Sequence, residues 1–165
     1  GDNAITLEYQ GDGSLLYQIA ERHYLPWQAA PRPAPGLEPL QLSVDYDKTT
    51  LAQDDTATVT VKIKNVTDRT AEMPLIDVGV PPGFSVVSDR LDDAVKAATI
   101  SKYTVAARQV IVYLEKLTPG QELTLTYQVR ARFPIKAKTP LSKAYPYYNP
   151  ERVSLTRPVE ITVTQ

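Results

Sequence analysis

A chain of 165 residues, 42% of them apolar and with a formal charge of −1, has the bulk for one packed domain with at most a small appendage. Eighteen basic residues against nineteen acidic, with no basic block, leave no footprint for nucleic acid, and no apolar run nears the ~20 residues of a membrane helix. The absence of cysteine excludes a disulfide framework, a thiolate zinc site and a cysteine nucleophile, and a single histidine excludes a His-rich metal site.

In chain order, Ile5, Leu7 and Tyr9 form one alternating set and Leu15, Tyr17 and Ile19 another, with Gly11-Asp12-Gly13-Ser14 as the turn between them. This predicts a β-hairpin within residues 1–27. Two strands alone are marginal in water, so the pair needs a neighbour to pack on. The pattern is already under way at Gly1, as expected of a piece of a longer chain. Residues 28–39 hold four prolines in twelve positions and read as a semi-stiff linker.

From residue 40 to 165, period-two alternation dominates. Leu40, Leu42, Val44 and Tyr46 form one set, and Ala57, Val59, Val61 and Ile63 a second. Leu123, Leu125, Tyr127, Val129 and Ala131 form a third, and Val159, Ile161 and Val163 a fourth. Each predicts a strand with one buried and one solvated face, as in antiparallel sheets. Leu75 to Val80 is a further strand closed by Pro81-Pro82-Gly83. Val110 to Leu114 is apolar throughout, which places it at a sheet centre covered on both sides. One stretch departs from this period. Leu91, Ala94, Val95 and Ala98 share a helical face, with Ser88 or Asp89 as cap and acidic residues in the first turn, so a short helix is expected near 88–98. The fold class is therefore all-β: an antiparallel immunoglobulin-like β-sandwich with one inserted helix, plus the N-terminal hairpin.

Few residues invite chemistry. Gly11 to Ser14 lacks the Walker lysine and the G-x-S-x-G order, and serves as a hairpin turn. His23 has no carboxylate or serine placed beside it by any motif. The pairs Asp45/Asp47, Asp54/Asp55 and Asp92/Asp93 fit no calcium loop and fall on a strand, a turn and a helix start. Asn65-Val66-Thr67 has the form of a glycosylation acceptor but is equally a turn former after a strand. No catalytic residue, cofactor or metal is expected.

The segment Ala144-Tyr145-Pro146-Tyr147-Tyr148-Asn149-Pro150-Glu151 stands apart, with three of the ten tyrosines within four residues. Two readings are open. The rings pack over the end of the sandwich and donate their hydroxyls to backbone carbonyls, as in a tyrosine corner. Alternatively, Tyr145, Tyr147, Tyr148 and Asn149 form a contact surface for a partner, tyrosine being an interface residue.

Five segments in order carry a resemblance: GDGSLLYQIAERHYLPW, LQLSVDYD, VGVPPGFSV with the helix after it, QVIVYLEKL, and AYPYYNPE. Together they resemble the C-terminal end of the alpha-macroglobulin family, where the end of a CUB-like region leads through a proline-bearing link into the terminal, receptor-binding-like macroglobulin domain. The resemblance implies a non-catalytic module of a large protease-trapping inhibitor, exported to the periplasm or the cell surface, and a bacterial rather than vertebrate member. Its partners would be neighbouring domains of the parent, among them a thioester domain that the tyrosines would shield; target proteases would be reached through the parent only. The thioester motif and bait region are not in this segment. The family's receptor-binding lysines have little counterpart, since the helix reads Asp89, Arg90, Asp92, Asp93 and Lys96. An alternative from another class is a free-standing immunoglobulin-like adhesive or scaffold module that binds a surface ligand.

Overall fold

A computed structural model of the chain describes residues 4–20 and 38–165. The chain divides into two compact units, residues 1–30 and 31–165, and each is described by itself. In the first, residues 11–13 bend where the hairpin turn is expected, but the segments on either side form no strands within residues 4–20. Ile5, Leu7, Leu15, Tyr17 and Ile19 are exposed. His23, Trp27 and most of the proline-rich segment lie outside the described residues.

The second unit is built from β1 (Leu40–Tyr46), β2 (Thr50–Ala52), β3 (Thr56–Asn65), β4 (Ala71–Glu72), β5 (Pro74–Gly79), β6 (Phe84–Val87), α1 (Asp89–Lys96), β7 (Lys102–Ala106), β8 (Gln109–Tyr113), β9 (Lys116–Leu117), β10 (Glu122–Ala131), β11 (Ile135–Lys138), β12 (Ser142–Pro146), β13 (Ser154–Thr156) and β14 (Glu160–Thr164). Two sheets form the sandwich: a four-stranded one in the order β1-β3-β10-β6, and a five-stranded one in the order β13-β12-β5-β8-β7. A three-stranded sheet, β11-β14-β2, and the short pair β4-β9 complete it. All pairings are antiparallel except β14 with β2, which run parallel.

Alternation does what the pattern predicts in β3 and β10. Ala57, Val59, Val61, Ile63, Leu125, Tyr127, Val129 and Ala131 are buried, and the register sets Val61 opposite Leu125 and Val59 opposite Tyr127. The facing layer supplies Ile76, Val78, Val110, Val112 and Ala144, and Leu91 of α1 enters the same core. The expectation for Val110 to Leu114 needs correcting. β8 lies one strand from the edge, between β5 and β7, and Ile111 and Tyr113 on its outer face are only half-buried. A continuous apolar run here reflects an outer face that carries aromatic and aliphatic side chains rather than a second covering layer.

The helix takes the place of an edge strand. β6 covers the end of β10 from Gln128 to Ala131, and α1 then packs along the remainder of β10. It is shorter than expected. Ala98 falls outside it with φ 53°, while the Ala98 N–H donates to the Val95 carbonyl and the Thr99 N–H to the Ala94 carbonyl. That is a Schellman closure with alanine where glycine is usual. Ser88 occupies the cap position without donating or accepting a side-chain cap bond.

Candidate interdomain contact surface

β12 ends at Pro146, and two successive turns follow. The Asn149 N–H donates to the Pro146 carbonyl at 3.0 Å, which makes Tyr147 and Tyr148 the central residues of the first turn. The Arg152 N–H donates to the Asn149 carbonyl at 3.1 Å, with Pro150 after Asn149 in the second. Asn at the first position and Pro at the second suit such a turn. Residues at the centre of a turn point away from the sheet, and Tyr147 and Tyr148 are 53% and 69% exposed. Their rings meet edge to face at 5.3 Å, an arrangement the ring quadrupoles favour.

The turn is held from beneath by Met73. Its carbonyl accepts from the Tyr147 N–H at 3.2 Å, its own N–H donates to the Glu115 carbonyl at 2.8 Å, and its sulfur accepts from the Tyr148 hydroxyl at 3.6 Å. Periodicity gives no hint of this residue, because it lies in the break between β4 and β5.

Tyr145 differs from its two neighbours. On β12 it stands opposite Leu75 of β5, which in turn stands opposite Tyr113 of β8. These three share the outer face of the five-stranded sheet, since Ile76, Val112 and Ala144 between them point into the core. Leu75 is almost fully covered between the two rings. Lys102 lies over the Tyr113 ring at 4.5 Å and Lys143 over the Tyr145 ring at 5.8 Å, while Lys143 also reaches Asp77 at 3.5 Å. The result is an aromatic strip bordered by two lysines. It runs from Tyr113 through Leu75 and Tyr145, with Met73, Tyr147 and Tyr148 beside it. Tyr145, Tyr147, Tyr148 and Asn149, the residues singled out in the sequence, lie at the end of β12 and in the turn after it, and Met73, Leu75, Tyr113 and the two lysines beside them are not among those singled out. The exposed side chain of Asn149 adds to the surface, while its backbone forms both turns.

Among the described residues, the phenol that reaches a backbone carbonyl is that of Tyr46, whose hydroxyl donates to the Gly79 carbonyl at 3.3 Å. Burial raises its pKa far above that of a free phenol. Tyr127 is fully buried with its hydroxyl unpartnered among the described residues, and burial, then the adjacent Tyr46, push its pKa up well beyond the ordinary value.

The remaining candidates resolve into structural roles. Asn65 is fully buried: its amide donates to the Arg69 and Leu117 carbonyls at 2.7 and 2.8 Å, and its carbonyl accepts from the N–H and hydroxyl of Thr67. A side chain so engaged offers nothing for a glycan to join. Asp47 accepts from the Thr58 N–H, Asp55 from the Ala52 N–H, and Asp92 from the Tyr103 hydroxyl. That last bond is the main cause of a raised Tyr103 pKa. Lys96, the helix's one lysine, pairs with Asp93 at 3.1 Å. Among the described residues no three His, Asp or Glu side chains converge on a metal position, and no helix is long and apolar enough to cross a membrane.

Comparison with known proteins gives this surface its context. The family model described as the A-macroglobulin receptor binding domain matches residues 69–157, more than half of the chain. The chain belongs to that family. The match takes in α1, the five strands of the larger sheet and the tyrosine turn, and leaves β1 to β3 and β14 outside. Solved structures agree on the fold. Native alpha-2-macroglobulin from Escherichia coli, spanning domain MG7 to the C-terminus, is 16% identical with a TM-score of 0.68, over 81% of this chain and 25% of that one. Salmonella alpha-2-macroglobulin reacted with methylamine is 18% identical with a TM-score of 0.67, over 84% of this chain and 10% of that one. Escherichia coli alpha-2-macroglobulin activated by porcine elastase is also 18% identical, with a TM-score of 0.66, over 84% and 14%. The chain thus spans a quarter or less of the length of each of these relatives. A search of curated protein sequences finds no match.

Proposed function

We propose that this macroglobulin domain is the non-catalytic C-terminal module of a macroglobulin-like protease-trapping inhibitor, and that it holds a neighbouring domain of the parent against its tyrosine surface. One observation carries the reading: two adjacent tyrosines are presented to solvent by a turn that two hydrogen bonds from its backbone and ring fix to Met73. Paired, oriented and desolvable aromatic rings are the usual anchors of protein contacts. Tyr145 and Asn149 extend the contact on either side.

The partner domain best suited is one bearing a thioester. A phenol ring excludes water while its hydroxyl still offers a hydrogen bond, which is what a hydrolysable acyl bond needs from a cover. The relatives fit a protease trap: the Escherichia coli protein is activated by elastase, and the Salmonella protein reacts with methylamine, a small nucleophile. By the same kinship the parent is exported, to the periplasm or cell surface, and is bacterial. Residues 1–27 are then the end of a CUB-like region and residues 28–39 its linker. The exposed alternating set of Ile5, Leu7, Leu15 and Ile19 is the face such a region would bury on its own neighbours.

The test is spontaneous and methylamine-driven thioester loss in the intact parent. Replacing Tyr147 or Tyr148 by alanine should raise the loss rate by about tenfold, the kinetic equivalent of ~1.4 kcal/mol of cover. Unchanged rates in both variants, with the domain still folded, would remove the shielding role. A parent that carries no thioester but still loses its compact resting form when the tyrosines are replaced would keep the contact and change the partner.

A further inference from the structure

Met73 supplies the chain's only sulfur, for there is one methionine and no cysteine. Its position is unusual in three ways. Its φ of 47° lies in the left-handed region that side chains rarely adopt. Its N–H and carbonyl are both bonded, to Glu115 and Tyr147. Its side chain is nevertheless 43% exposed, and the sulfur accepts the Tyr148 hydroxyl. The backbone is therefore fixed while the thioether stays open to solvent, directly beneath the two rings. Leucine would meet the packing need as well, since a surface gap asks for bulk and not for sulfur. A thioether differs from leucine in being a weak acceptor and in being oxidisable.

We infer that Met73 is an oxidation site, and that its sulfoxide reorders the Tyr147–Tyr148 surface. With hydrogen peroxide as oxidant, a sulfur lone pair attacks one peroxide oxygen and the O–O bond breaks as the S–O bond forms. Sulfur gives up two electrons, and the other oxygen leaves as water after taking the proton. The product replaces a weak acceptor with a strong, dipolar one at the atom that Tyr148 already addresses. The Tyr148 hydroxyl follows the new oxygen, and the Tyr147 ring, seated edge-on to Tyr148, must follow in turn. An apolar contact face thereby becomes a polar one, and sulfoxide reductases can reverse the change. The chemistry rests on the geometry of Met73 alone; only the response of a neighbouring domain rests on the function proposed above.

The experiment treats the 165-residue chain with hydrogen peroxide and follows intact mass, peptide mapping and the tyrosine ring resonances. The expected result is a gain of one oxygen, mapped to Met73, at a rate within about threefold of free methionine. The Tyr147 and Tyr148 resonances should move together with that gain, while those of buried Tyr127 stay in place. Met73→Leu should fold, take up no oxygen and show no movement. In Tyr148→Phe, which lacks the hydroxyl, Met73 should oxidise and the ring shift at that position should shrink. Oxidation at Met73 slower than about a tenth of the free rate would overturn the site, and full oxidation with both rings unmoved would overturn the coupling. In the intact parent the two ideas separate. If tyrosine variants leave thioester loss unchanged, the shielding role falls while oxygen uptake at Met73 still stands.

Discussion

Asn65 shows how a surface-looking motif can be an interior one. Its four bonds tie the end of β3 to the following turn and to β9, two segments with no other shared ladder. Alanine there would leave the buried Leu117 carbonyl and the Thr67 N–H without this partner, while the Arg69 carbonyl keeps the Thr67 hydroxyl. Asn65→Ala should cost about 2–4 kcal/mol, read as a fall in the urea midpoint with little change in slope. The three-residue motif was visible in the sequence, but its burial was not. Whether an asparagine after a strand faces solvent depends on what β9 does fifty residues later. Gly79 is a second such case. A Cβ there would lie 2.5 Å from the Pro140 carbonyl oxygen, a contact that no reading of the strand Leu75 to Val80 could reveal.

Elements were more legible than residues. The strands containing Val59, Leu125 and Ile161 follow from alternation alone, because a half-buried antiparallel strand writes its two faces into its sequence. The helix was legible from Leu91 and Val95, whereas its end was not. Alanine at position 98 gives no stop signal, and closure there depends on Ile100 being buried. The left-handed alanine makes a direct prediction. Ala98→Gly should relieve the Cβ clash and raise stability by about 0.5–1 kcal/mol, after subtracting the added freedom of the unfolded chain. Thermal or urea unfolding of this single variant checks it. The tyrosine run was legible as a feature, and its placement came only with the structure. A turn centred on Tyr147 and Tyr148 requires the Pro146–Asn149 bond, and the sequence left both packing and presentation open.

On the scale of the whole molecule, the sandwich was foreseeable and the strand order was not. The parallel pairing of β14 with β2 joins residues more than a hundred positions apart, which no local pattern encodes. The core that results holds two phenols, and their pH dependence is a property of the entire fold. Both pKa values are raised by folding, so the neutral form is favoured in the native state. Stability from these groups is fully present below the unfolded phenol value of about 10 and falls as pH rises above it. The slope is about 1.4 kcal/mol per pH unit for each phenol. Alkaline unfolding should therefore begin near that value, and Tyr127→Phe, which also removes an unpaired buried hydroxyl, should move the transition to higher pH. Far-ultraviolet circular dichroism across an alkaline titration of both proteins would reveal a failure to shift.

The five-stranded sheet ends on unlike sides. At β13 the neighbouring strand β1 closes in, and Ser154 Oγ donates to the Leu40 carbonyl. At β7 only Tyr103 is even partly covered. An edge of unused N–H and C=O groups invites another chain to add on, and Lys102 is the one charge on that strand to discourage it. A sheet with a single open side can satisfy itself by meeting its own copy across a two-fold axis. Crowded copies of this domain would consequently stop at pairs along that sheet, where a sheet open on both sides would go on stacking into fibrils.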